Sequence, residues 1–276
     1  MQGRLSPPED GRLQSFPVRT WRQEFALARE AGLSCIEWIY EERTAAFNPL
    51  SSTTGFADIQ RLAHDSQVQV WSVCADCYME QPLISQAGIL DAARCSHLRW
   101  LMGQAAKLGC NYIVLPFVDS ARLAQARHRE ALELLLEGTL AHADSLNLEL
   151  HLETDLEPDE LATILRRFNH PRLRANLDLG NSASLGHDPT LEVEAIMPWL
   201  GSVHVKDRLR GGGTVPLGEG DADLSTYFRL LMERRYRGTF ILQVARSAAE
   251  SELEWCRRNR DLVASLMSRW TLAQSN

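Results

Sequence analysis

Glu153, Asp178 and His204 each end a strand-like run: NLELHLE at 147–153, LRANLD at Leu173–Asp178 and GSVH at 201–204. A fourth run, TFILQ at 239–243, ends in the amide of Gln243. Side chains alternate along a strand with period two. Glu153 therefore shares a face with His151, Asp178 with Asn176, His204 with Lys206 and Gln243 with Ile241. If these strands are parallel neighbours, their C-terminal ends form one rim, and Glu, Asp, His and Gln converge from four strands. Such a hard-to-borderline oxygen and nitrogen set suits Mg, Mn, Co or Zn. A divalent cation there could polarise a carbonyl and its neighbouring hydroxyl while a carboxylate takes a proton from the adjacent carbon.

The elements that would bring these runs together alternate along the whole chain. Residues 1–6 read as a scrap of strand with almost nothing before it, followed by a loop through Pro7, Pro8, Gly11 and Pro17. Thr20 opens a capping box for a helix whose apolar stripe (Trp21, Phe25, Ala28, Ala31) stops at Gly32. Strands are predicted at 34–39, 68–73 and 110–117, the last nearly continuous in apolar residues, as a strand covered on both faces reads. Helices are predicted at 56–66, 89–108, within 121–145, at Pro158–Phe168, from Asp188 to before Pro198, at 223–235 and at about 250–270, with a glycine-rich flexible loop at 211–213. Eight strand–helix pairs without a linker predict a (β/α)8 TIM barrel with a truncated first strand, a single domain over 1–276, with its site at the C-terminal strand ends. The truncation suggests a weak seam or a true start upstream. A doubly wound sheet is the competing architecture; the first strand–helix turn lacks its glycine-rich phosphate fingerprint.

The bulk properties exclude several classes of function. The 276 residues are 45% hydrophobic and 24% charged, with a formal net charge of −7, which argues against nucleic acid or an anionic membrane as partner. No run approaches the roughly 20 apolar residues of a membrane span, and the charged first thirty residues do not read as a secretory signal. Six cysteines in a chain this long are no disulfide scaffold, and a reduced cytoplasm is the simplest setting. The spacing of Cys74 and Cys77 is that of a redox motif, but two small core residues are the favoured reading. No nucleophile elbow, P-loop or dinucleotide fingerprint is present.

Several runs carry a resemblance: HLET at 151–154, NLDLGN at 176–181, VHVKD at 203–207, VPLGEG at 215–220 and YRGTFILQ at 236–243. The chain resembles the xylose-isomerase-like TIM-barrel superfamily, the sugar phosphate isomerase/epimerase group. The resemblance implies that Glu153, Asp178 and His204 are metal ligands, with Glu153 also the proton-transferring carboxylate. It places Asp159 where epimerases have a Glu behind the ligands, Asn181 where many members hold a substrate oxygen, and Arg210 where an Arg contacts substrate. Gln243 departs from the pattern, standing where a Glu usually closes the metal site and acts as second acid/base. An amide can offer its carbonyl oxygen to a metal but cannot return a proton.

Around this set, Lys206 should face the barrel mouth, with Arg208 and Arg210 on the succeeding loop, suiting a phosphate or carboxylate of the substrate. Arg246, three residues past Gln243, could assist, and Glu37 and Trp38 close the second strand, where Trp38 could stack on a sugar face. The expected partner is a small sugar or sugar phosphate, with neither nucleic acid nor membrane, in a homodimer such as exposed barrel helices often form. The reading is a metal-dependent isomerase or epimerase. An inosose-type dehydratase and a non-catalytic carbohydrate-binding barrel are the rivals.

Overall fold

Every residue of Tyr112–Phe117 is buried, as the apolar run requires when helices cover one face of a strand and other strands fill the opposite face. The computed structural model describes residues 1–9 and 11–272. Its main sheet joins β1 (Cys35–Ile39), β2 (Gln69–Cys74), β3 (Tyr112–Phe117), β4 (Glu149–Thr154), β5 (Leu173–Asp178), β6 (Leu200–Val205) and β9 (Thr239–Leu242), all parallel and in that order. Between β6 and β9 lies a short antiparallel hairpin of β7 (Asp207–Arg208) and β8 (Thr214–Val215). Helices connect the barrel strands, because parallel neighbours need a crossover long enough to return to the same end of the sheet.

The seven strands form a nearly closed barrel whose eighth position is filled by the first residues of the chain. Gln2 pairs in parallel with Glu37, Gln2 N–H donates to Leu242 O at 3.2 Å, and Glu37 N–H donates to Met1 O at 3.0 Å. The truncated first strand is thus a single bridge. The segment after this bridge is held by side chains: Glu24 accepts from Leu5 N–H and the Ser6 hydroxyl, and Glu41 accepts from Phe16 N–H.

Two predictions of element chemistry are corrected. Thr20 does not cap the first helix (Trp21–Glu30); its hydroxyl donates to Ser6 Oγ, so it fastens the N-terminal segment. The helix expected from 89 begins at Ala92, because Ile84 and Leu90 pair as a bridge and Asp91 accepts from Arg94 N–H as the cap. The loop expected at 211–213 is present, and it connects β7 to β8.

Two predicted substrate contacts belong to the scaffold. Trp38 is the outward neighbour of Glu37, and in a pleated strand only one of the two can face the barrel interior. Its ring packs at 5.2–6.2 Å from Phe16, Trp21 and Phe25 and its indole N–H donates to Asn48, so it cannot stack on a ligand at the mouth. Arg246 donates to the carbonyls of Leu13, Ser6 and Gly3 and pairs with Glu252 at 2.9 Å. Those acceptors engage all three guanidinium nitrogens, and the side chain serves as the clamp that fastens Gly3, Ser6 and Leu13 to the end of the barrel.

The barrel interior is polar where branched aliphatic layers would be ordinary. His151 bonds Glu149 at 3.0 Å and Ser202 at 2.7 Å, Asn176 donates to Ser202, and the Tyr112 ring stacks on His151 at 3.9 Å. Ser72 donates to Glu37 at 2.8 Å. Buried polar groups need such partners, and this column supports the residues at the mouth. Among the described residues no helix is long and apolar enough to cross a membrane.

Truncating Arg246 to Ala should lower unfolding free energy by about 3 kcal/mol, the cost of leaving a half-buried charge partner and several carbonyls unsatisfied. Urea denaturation checks this.

Candidate active site

Asp178 closes β5 and is the register partner of His204 on β6, so their side chains leave adjacent strands on the same face. Glu153 is the fifth residue of β4, on the other side of Asp178. Among the described residues these three form a group whose ligand atoms lie within 4.8 Å of one another, all buried. His204 Nδ1 is 3.4 Å from Glu153 Oε2 and 3.9 Å from Asp178 Oδ2, and Nε2 is 3.0 Å from Glu37 Oε1. The contacts are ion-pair distances without hydrogen-bond alignment, so both ring nitrogens of a fully buried imidazole lack a directed partner. Two carboxylates and an undirected imidazole nitrogen facing one point are the donor set a divalent cation requires, so the residues fit a metal.

The electrostatics point the same way. Burial alone would lower the His204 pKa, but Glu37 and Glu153 overcome it and push it up to about 10. Burial lifts the Glu153 carboxyl above its usual range; His204 offsets part of the rise and Asp178 adds to it. Burial would also lift Glu37, yet His204 and Ser72 hold it below. Three carboxylates thus surround one imidazole, and the local field asks for positive charge, which a proton on His204 or a metal ion can satisfy. Glu37, expected to touch substrate, instead lies against the far nitrogen of His204, where it can fix ring orientation and tautomer.

A short helix (Leu179–Leu185) positions the rest. Asp178 caps it by accepting from Asn181 N–H at 2.9 Å. That turn swings the Asn181 amide over the site, where Nδ2 donates to Glu153 Oε1 at 2.7 Å and Oδ1 accepts from Arg208 at 2.8 Å. Ser182 donates to Glu192, which also accepts from Tyr227, and these contacts anchor the helix. Lys206 reaches Asp178 Oδ2 at 3.3 Å, its stem lying against Gly180, where a Cβ would approach Lys206 Cγ to 2.7 Å. Buried Asp207 accepts from the backbone N–H groups of Gly218, Gly220 and Ala222 and so folds the VPLGEG segment over the hairpin.

Other expected positions part from the centre. Arg210 is exposed; its backbone N–H donates to Asp221 and its guanidinium lies over Gly186. Arg208 is the arginine that the hairpin turns inward, tied to Asn181 and to Gly212 O. Asp159 is exposed on the first turn of Pro158–Phe168, in a surface hollow with Glu157 and His187, because the helix begins too far beyond β4 to reach back. Gln243 is buried immediately after β9; Ile241 is the register partner of His204, so Gln243 is the next residue on that face. Cys74 and Cys77 are free and buried, as two core residues. Sequence reasoning missed Arg4 and Asp76, both buried at this end. Asp76 is the first charge after β2, which was the available signal; Arg4 follows the left-handed turn at Gly3, which no strand periodicity could mark.

A family model described as the xylose isomerase-like TIM barrel matches residues 25–259. The chain belongs to this family. An L-ribulose-5-phosphate 3-epimerase of Escherichia coli O1:K1 is 24% identical over 246 residues, 86% of this chain and 81% of the relative. Among solved structures, an L-ribulose 3-epimerase superposes with a TM-score of 0.73 at 13% identity, covering 100% of this chain and 96% of that one. A xylose isomerase-like TIM-barrel protein from Mycobacterium smegmatis, in complex with magnesium, superposes with a TM-score of 0.68 at 16% identity, covering 96% and 94%.

Mn2+ should bind the wild-type protein, and His204→Ala should weaken it by at least about 100-fold, with Glu37→Gln costing about 10–100-fold through loss of ring orientation. A ligating imidazole must be neutral, and His204 holds its proton up to about pH 10. Metal binding should therefore release a proton, and affinity should fall as pH falls through the neutral range. Titration calorimetry in buffers of different ionisation heat measures both.

Proposed function

We propose that this protein is a metal-dependent epimerase or isomerase of a ketose or ketose phosphate, acting by removal of a proton from carbon next to a carbonyl. The observation that carries the reading is the convergence of Glu153, Asp178 and His204 on one point at the C-terminal end of the barrel, supported by family membership and by the named activity of the E. coli relative. The residues that would hold the cation are Glu153, Asp178 and His204, with the Gln243 carbonyl oxygen as an uncharged fourth. When bound, it supplies polarisation of the carbonyl and neutralises the charge that develops on its oxygen.

The protein's own groups do the remainder. Glu153 is the base, a carboxylate that β4 brings to the mouth. Asn181, held by Arg208, donates to Glu153 Oε1 and so fixes the orientation of the carboxylate. Lys206 balances Asp178 and can receive a substrate oxygen. Hydroxyl-rich ligands match a mouth of polar side chains, and a phosphate would be met by Lys206 and Arg208. The cysteines, all free, suit a reducing cytoplasm.

The Gln243 amide favours a second reading in one respect. A site with one carboxylate base also suits one-base aldose–ketose isomerisation or loss of water from a polyol ketone. L-ribulose 5-phosphate incubated in D2O with Mn2+ and followed by proton NMR separates these outcomes: a new ketose epimer, a new aldose or a dehydrated product. The epimer is expected, with solvent deuterium at the reacting carbon. Glu153→Gln should cost about 10²–10⁴-fold in turnover, the usual contribution of a positioned base. Ligand-dependent thermal stabilisation without any exchange would instead mark a binding barrel.

A further inference from the structure

An epimerisation needs a proton delivered to the carbon face opposite the one that lost it, and the Gln243 amide has none to give. Asp76 is a carboxylic acid held at the same end of the barrel. It lies two residues beyond the end of β2, where Cys74 packs inside the barrel with Tyr112 and Val114. The Cys74 thiol donates to Asp76 Oδ1 at 3.0 Å, which sets the carboxyl group above that inner face, 6% exposed. Its other oxygen accepts from Gln14 Nε2 at 2.7 Å, and Gln14 Oε1 accepts from Arg4 at 3.0 Å. Arg4 is 1% exposed, and its Nε has no hydrogen-bond partner. It stands two residues past Gln2, whose backbone pairs with Glu37, and after the left-handed turn at Gly3 its guanidinium donates to the Gln2 carbonyl and to Gln14. A buried donor left free is costly, and this arginine lies within the field of Asp76 and Asp178.

We propose that Asp76 is the second proton-transfer residue of the site, working from β2 in place of the carboxylate that β9 lacks, while Arg4 binds the substrate oxygen beside it. The assignment rests on the epimerase reading above. For one epimer, Glu153 takes the proton and the C–H electron pair passes into the carbonyl to give an enediolate. The pair then returns to carbon as the Asp76 carboxyl group gives its proton to the other face. Glu153 ends protonated and Asp76 ionised, and exchange with solvent resets both. For the other epimer the roles reverse. Burial, with the charges of Glu153 and Glu37 against the bonds from Cys74 and Gln14, lifts the Asp76 carboxyl to about 6, where it can serve in both directions.

The test uses the Mn2+-loaded full chain in D2O, given L-ribulose 5-phosphate and its C3 epimer separately, with loss of the C3 proton followed by NMR. Asp76→Asn should slow epimerisation by about 10²–10⁴-fold, yet still wash out the proton of one epimer, the one that Glu153 serves. Glu153→Gln should spare only the other. Undiminished epimerisation in Asp76→Asn, or equal loss of exchange from both epimers with Mn2+ binding intact, overturns the assignment alone. A wild-type protein that exchanges neither proton overturns the epimerase reading and this assignment with it. If Asp76→Asn loses Mn2+, Gln14→Leu carries the test. It removes a donor from the carboxylate, so the pH profile of epimerisation should move upward, and an unmoved profile overturns the proposal.

Discussion

Three carboxylates gathered around one buried imidazole are the constraint on which the rest of this structure depends. Glu37, Glu153 and Asp178 could not share a mouth this dry without positive charge, because removing ions from water costs several kcal/mol each unless they are paired. His204 supplies that charge when protonated and Lys206 adds to it from the edge. A divalent cation satisfies the same demand with the imidazole neutral, so metal binding and proton release are one exchange.

The scaffold is arranged to hold this charge cluster still. Strand register fixes Asp178 beside His204, and the polar column of Glu149, His151, Ser202 and Asn176 fills the barrel below with bonded groups. On the outer side, Asp178 starts a helix and thereby places Asn181 over Glu153, so one carboxylate is a candidate ligand, a cap and an organiser of its neighbour. Asp207 does comparable work in the next loop, accepting three backbone N–H groups that turn Arg208 inward.

The weakest part of the ring is also the part that carries unspent chemistry. The first strand is reduced to a bridge and is kept in place by Glu24, Glu41 and Arg246, groups that make no other claim on the mouth. Beside that seam sit Arg4 with its free donor and the Gln14–Asp76 pair. The last strand, on the other side of the seam, brings an amide to the mouth in Gln243. Acid chemistry moved from β9 to β2 would compensate for that amide without disturbing the convergent ligands.

The alternation of strand and helix, the closure by a stunted first strand and the convergence of Glu153, Asp178 and His204 were legible in the sequence. Periodicity and strand-end position are local properties, and a parallel barrel turns them into a shared rim. The helix at Leu179–Leu185 was not legible, since seven residues give little periodicity and its start is set by the Asp178 cap. Nor did the sequence decide which of Glu37 and Trp38 faces inward, because both phases of a pleat satisfy the same short run. Tertiary structure alone decided the arginines. Long side chains go where acceptors are, and Arg246 finds its own at Gly3, Ser6 and Leu13, at the opposite end of the chain, while Arg208 rather than Arg210 meets Asn181. Residue type and spacing fixed the strand ends that meet; only the folded packing fixed which side chains around them remain free to meet a substrate.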